Sequence, residues 1–212
     1  MTSKLEFWFS IGSTYTYLSV MRMPKVVDES KVLVIWRPFN VREIMQDMNN
    51  VPFVGKPAKL SYMWRDLERR AHRYGVPIKL PAGYPLQNFE LANRVAVVAE
   101  QEGWCPDYVR ATYSNWFQGG VPAGNEQNLK RSLQEIGQSY DRVIELARSD
   151  DAFELLKQAT REATSKGIFG SPSFIVESRE LFWGDDRLED AIEFLQQSSE
   201  SCGNAQHISD MY

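Results

Sequence analysis

Two short apolar runs, Leu5 to Phe9 (LEFWF) and Val32 to Trp36 (VLVIW), flank a stretch with helical spacing, and this order restricts the possible folds more than any other feature. Each run is bounded by polar or turn residues, as a buried strand is. Between them, Tyr15 to Val27 carries Leu18, Met21 and Val26 on one side and Pro24 in its interior. Strand, helix, strand describes a βαβ unit, in which two parallel strands need a crossover that is right-handed in nearly all cases. Pro24 predicts a kink or an early stop, because proline lacks the N–H that would continue the helix.

Beyond Pro57 the periodicity becomes helical and stays so to about Lys166. Lys59 to Tyr74, Asn88 to Glu102, Pro106 to Phe117, Glu126 to Ile136 and Asp151 to Ser165 each show an apolar and a charged side. Their breaks fall at Gly75-Val76-Pro77, Pro81-Ala82-Gly83, Gly103, Gly119-Gly120 and Gly137. Ser173 to Val176 and Glu180 to Phe182 then read as a hairpin around Glu177-Ser178-Arg179, and Asp186 to Gln197 as a last helix. The expectation is an α/β chain: a thioredoxin-like domain over residues 1–56 and 167–197, a helical insertion over 57–166 and a polar tail over 198–212. A chain of 212 residues is long enough to bury one substantial core.

Composition removes several kinds of chemistry. The net charge of -4 leaves no electrostatic footprint for nucleic acid. No apolar run approaches the roughly 18 residues of a membrane span, and Met1 to Glu6 lacks the order of a signal peptide, so a cytoplasmic protein with no membrane partner is expected. Cys105 and Cys202 stand far apart and outside any C-x-x-C pair, which argues against disulfides and dithiol chemistry. His72 and His207 have no neighbouring ligands, so neither a metal site nor a Ser-His-Asp triad is expected.

The junction between the first strand and its helix is unusual in another way. A helix start favours a carboxylate in its first turn, yet no acidic residue occurs from Phe7 to Val27. Taken alone, Ser13 in the Gly12-Ser13-Thr14 turn is either an ordinary N-cap or part of a seat for an anion that the protein does not itself carry.

Four segments favour the second reading: FWFSIGSTYTYLS at the first turn, NNVPFVGKPAKLSYMWRDLERRAHRYGVP before the helices, GIFGSPSFIV entering the hairpin and FWGDDRLEDAIEFL after it. From Leu5 to Leu195 the chain resembles the 2-hydroxychromene-2-carboxylate isomerases and, more distantly, the kappa-class glutathione transferases. The resemblance implies a glutathione-dependent isomerase of aromatic degradation with a small aromatic substrate and a homodimeric state. It places Ser13 at the catalytic serine, where disulfide oxidoreductases carry their first cysteine. It places Asn50, Lys59, the backbone of Ser171 before a cis Pro172, and the Asp185, Asp186 and Arg187 group around glutathione. The chain departs from the pattern at Thr14 (usually proline), Ser10 (often aspartate), Asp185 (often Gln or Ser) and Gln46, where a lysine would face the substrate carboxylate.

Such chemistry has a definite energetic demand. An ordinary thiol has a pKa of about 8.5, and lowering it by two units takes roughly 2.7 kcal/mol. A helix start contributes about 0.3–2 kcal/mol and a hydroxyl donor to an anion about 1.5–3 kcal/mol, which together suffice. The residues also fit plainer roles. Asp185 and Asp186 suit a helix cap, and Ser171-Pro172 a trans turn. Arg65, Arg69, Arg70 and Arg73 suit a solvated face, Cys105 a small core residue, and Trp64, Trp104, Tyr108, Tyr113, Trp116 and Phe117 helix packing, some of them beside an apolar pocket. A kappa-like transferase and a non-catalytic thioredoxin-like binding module are the alternatives in function. Disulfide exchange is disfavoured because Ser13 and Thr16 stand where the two cysteines would be.

Overall fold

The structure, a computed structural model, describes residues 3–50, 53, 55–176 and 180–197. The expected β1 (Lys4–Phe9), α1 (Thr14–Ser30) and β2 (Leu33–Pro38) form a parallel βαβ unit in which Phe7 is paired with Trp36. β3 (Ser173–Val176) runs antiparallel to β1, and β4 (Leu181–Trp183) antiparallel to β3, completing a sheet of order β2-β1-β3-β4. β1 is central, and Leu5, Phe7, Trp8 and Phe9 are fully buried, which explains why its sequence does not alternate. Phe7 stacks on Phe174 at 5.3 Å and meets the edge of Trp36 at 4.9 Å, so aromatic contacts join three strands across one face.

α1 does not stop at Pro24; it continues to Ser30 and ends on Lys31, which has φ 57° and donates its N–H to the Val27 carbonyl. Pro24 lies on the exposed side, where a carbonyl deprived of its donor can turn to water, while Val20 and Met23 hold the other side in the core. The helical excursion begins earlier than its periodicity suggests. α2 (Val41–Asp47) directly follows β2, and α3 (Pro57–Tyr74), α4 (Phe89–Glu102), α5 (Cys105–Phe117), α6 (Glu126–Glu135), α7 (Tyr140–Arg148) and α8 (Asp150–Ser165) come after it. Sequence spacing did not indicate α2 or α7: each is short, and its apolar stripe spans barely two turns.

α4 is the axis of this layer and packs on α5, α7, α8 and β2. Its inner side is Ala92, Asn93, Ala96 and Ala99, small enough for close approach and fully buried. Asp185–Arg187 form one turn of 3-10 helix, after which residues 188–197 are helical. The hairpin turn Glu177-Ser178-Arg179 and the tail with Cys202 and His207 lie outside the described residues. No helix among the described residues is long and apolar enough to cross a membrane.

Candidate functional site

β1 delivers the chain into a tight turn, Ser10 to Ser13, held from below by the inserted helices. Gly12 has φ 128°, and a Cβ there would lie 2.5 Å from the Phe89 ring, so both conformation and space require glycine. Asn93 of α4 accepts from the Ile11 N–H (2.8 Å) and donates to the Ile11 carbonyl (2.9 Å). Tyr113 of α5 shares its hydroxyl hydrogen between the carbonyls of Ser10 (3.1 Å) and Ser13 (3.0 Å). Burial pushes the Tyr113 pKa far up, so this donor stays neutral. Both residues are fully buried, and each satisfies backbone groups that water cannot reach.

Ser13 occupies the N-cap of α1 with extended backbone (φ -78°, ψ 124°), yet its side chain does not cap the helix. Its Oγ instead donates to the Ser171 carbonyl at 2.6 Å. No acid lies in the first turn, so the positive end of α1 is left without a side-chain counter-charge. Ser171 precedes Pro172 across a cis peptide bond, and its Oγ accepts from the Ser10 N–H (2.9 Å) and shares a hydrogen bond with Thr16 (2.8 Å). Ser10, Ser13, Thr16 and Ser171 thus tie the first turn to the loop before β3.

The turn opens into a cavity of about 600 Å³ between α1, α2 and α3. Met45, Leu60, Tyr84 and Phe89 supply its apolar wall, and Ser13 and Ser171 also line it. Among the described residues the charged groups on this wall are Arg42 and Lys59, both cationic, in a chain of net charge -4. Burial lowers the pKa of Arg42, and the nearby Tyr84 hydroxyl pulls the other way. Burial raises the pKa of Tyr84 in turn, leaving it a hydroxyl donor. Asn50, Gln46 and Trp183 complete the rim. A second hollow of about 680 Å³ lies between α1 and residues 188–197, and on its wall Lys25 pairs with Glu29 and Arg22 with Glu189.

Asp185, Asp186 and Arg187 do not line the cavity. Asp185 is 1% exposed and lies under the guanidiniums of Arg70 (2.9 Å) and Arg22 (3.8 Å). Asp186 is near Arg70 (3.7 Å), and Arg187 pairs with Asp190 (2.6 Å). The solvated role expected for Arg70 therefore does not hold, since it pairs with the buried aspartate and approaches the Tyr15 and Tyr74 rings. His72 is exposed and Cys105 is buried, with burial pushing its thiol up. Arg42, Asn93, Tyr84 and Arg22 were not anticipated. Asn93 alone left a trace in the sequence, as a lone amide in the small apolar stripe of α4.

Burial raises the Asp185 carboxyl from 3.8 to about 6, with Arg70 and Arg22 pulling the other way. Between those values the folded state holds the proton more tightly than the unfolded chain does. Stability from this group is therefore full below about pH 4 and is lost as pH rises through about 6. Urea midpoints measured across that window should fall with rising pH in the wild type and flatten in Asp185→Asn. An unchanged slope in the variant would reject the assignment.

With hydroxyls of Ser13 and Thr16 facing the Pro172 loop at the head of α1, the molecule is a thioredoxin-like protein whose first turn offers oxygen where a dithiol would stand. It belongs to the family of DSBA-like thioredoxin domains, whose family model matches residues 4–196. The chain is 26% identical to a 2-hydroxychromene-2-carboxylate isomerase of Sphingobium xenophagum over 89% of its own length and 96% of that protein's. It is 22% identical to glutathione S-transferase kappa 2 of Caenorhabditis elegans, covering 90% of this chain and 91% of that one. Among solved structures, a 2-hydroxychromene-2-carboxylate isomerase superposes with a TM-score of 0.79 at 22% identity, covering 99% of this chain and all of the other.

Proposed function

We propose that this protein binds glutathione with its sulfur at the start of α1 and uses it to isomerise a conjugated double bond. One observation carries the reading: the acid-free start of α1, beside Ser13, opens into a cavity lined by Asn50, Lys59 and Ser171. Kinship with proteins named isomerase and glutathione transferase supports a function of that class. Bound there, glutathione supplies a sulfur nucleophile that adds reversibly to an electron-poor double bond and lets it rotate.

The fit rests on groups already in place. Ser13 Oγ is half-buried and engaged with a carbonyl rather than with the helix. A turn about its side-chain bond would redirect the hydroxyl to the sulfur and free the Ser171 carbonyl for a peptide N–H. Ser171 then presents backbone to the tripeptide, with Asn50 and Lys59 on the wall of the same cavity. Asp186 and Arg187, both exposed, suit the γ-glutamyl end, while the buried Asp185 holds Arg70 beside Asp186 from beneath. The role of the protein is to keep the sulfur ionised at neutral pH by the helix end and one hydroxyl donor.

Calorimetric titration with glutathione tests the first half of this reading, and a spectrophotometric screen of conjugated aryl pyruvates tests the second. The expected result is saturable binding, weaker for S-methylglutathione, and substrate conversion that leaves total glutathione unchanged. Absence of saturable binding would refute the proposal. Kinship with kappa-class transferases favours a second reading, and conjugate accumulating while glutathione is consumed would select it.

A further inference from the structure

The Gln46 side chain on the cavity wall brings no charge, yet a cation stands one helical turn away on the same side of α2. Asn40 fixes this short helix by accepting from the N–H groups of Arg42 (3.1 Å) and Glu43 (3.3 Å). The Arg42 guanidinium is aimed by one bond from Nη2 to the Leu86 carbonyl (3.0 Å) and by stacking over Phe89, 4.1 Å from the ring centroid. It has no ion-pair partner among the described residues, unlike Arg22, Arg37 and Arg70, each of which meets a carboxylate. A half-buried guanidinium without a counter-charge has lost hydration that a carboxylate's paired oxygens would replace, and its planar fork matches that geometry. Met45, Tyr84 and Phe89 line the same cavity and give it apolar surface on which an aromatic body can pack.

We propose that Arg42 is the specificity-determining residue of this cavity and holds the carboxylate of a planar conjugated acid lying against Tyr84 and Phe89. The assignment rests on the glutathione reading only in naming this acid as the second ligand; the charge arrangement stands without it. It gives each ligand its own contact: sulfur at Ser13, carboxylate at Arg42 on α2.

trans-Cinnamate and its neutral amide are suitable probes, each titrated by tryptophan fluorescence into wild type, Arg42→Met and Arg42→Lys, with and without saturating S-methylglutathione. The expected result is that wild type prefers cinnamate over cinnamamide. Arg42→Met should lose about 10- to 100-fold of cinnamate affinity with little change for the amide, and Arg42→Lys should fall between because a point charge replaces the fork. S-methylglutathione should bind all three proteins alike, which also reports that the variants are folded. Equal binding of acid and amide, or cinnamate affinity indifferent to Arg42→Met, would overturn the proposal. So would loss of S-methylglutathione binding in both folded variants, since Arg42 would then serve the tripeptide's own carboxylate. If no protein binds S-methylglutathione, the glutathione reading fails, and the cinnamate contrast, with circular dichroism to report folding, still decides the role of Arg42.

Discussion

Ser13→Ala is expected to lower glutathione-dependent turnover roughly 10- to 100-fold, the equivalent of one hydrogen bond of about 1.5–3 kcal/mol to a charged sulfur. The loss should appear as a rise of about one to two units in the pKa of bound glutathione, read from the ultraviolet absorbance of its thiolate across a pH series. Stability should change little. Ser13 is half-buried, its hydroxyl caps no helix N–H, and water can replace it on the Ser171 carbonyl. These expectations separate a sulfur-directed hydroxyl from a structural one: a large fall in thermal midpoint with unaltered thiol titration would assign Ser13 to the fold and remove it from the chemistry.

Asn93→Ala is expected to cost about 2–5 kcal/mol of stability, because the N–H and carbonyl of Ile11 would both lose their partner in a site that excludes solvent. Urea unfolding measures this directly. Turnover should fall as well, since the turn carrying Ser13 loses the support that sets its height above α4. Tyr113→Phe is a useful comparison, as it removes one hydroxyl shared by two carbonyls and leaves the Ile11 bonds intact. Its stability cost should be the smaller of the two. A near-neutral Asn93→Ala would show that the turn holds its shape without α4.

Much of this arrangement is legible in the sequence. The apolar runs at Leu5 and Val32, the glycine breaks and the hairpin after Pro172 are local signals, and the strands and most helices follow them. What escaped has a common cause. α2 is 7 residues long, and its helical character depends on the Asn40 cap and on burial of Val41 and Ile44 rather than on a repeating pattern. Arg70 looked like one of several solvated arginines because its partner, Asp185, is distant in sequence. The positive wall was hidden for the same reason, since Arg42 and Lys59 lie on different helices and the absence of acids from the cavity wall, among the described residues, is a property of the fold. The acid-free start of α1, by contrast, could be read directly from the first thirty residues.

Phe89 pressed against Gly12 gives the molecule a lasting constraint. A designer who sought new selectivity by exchanging the whole run of helices would also disturb the floor beneath Ser13, because ring and turn occupy one another's space. Recombination at β2 and β3, the obvious seams, should give inactive chimeras unless Gly12, Phe89, Asn93 and Tyr113 travel as a set. Safer diversification lies along the rim, at Gln46 and its neighbours, where side chains can change without moving the turn.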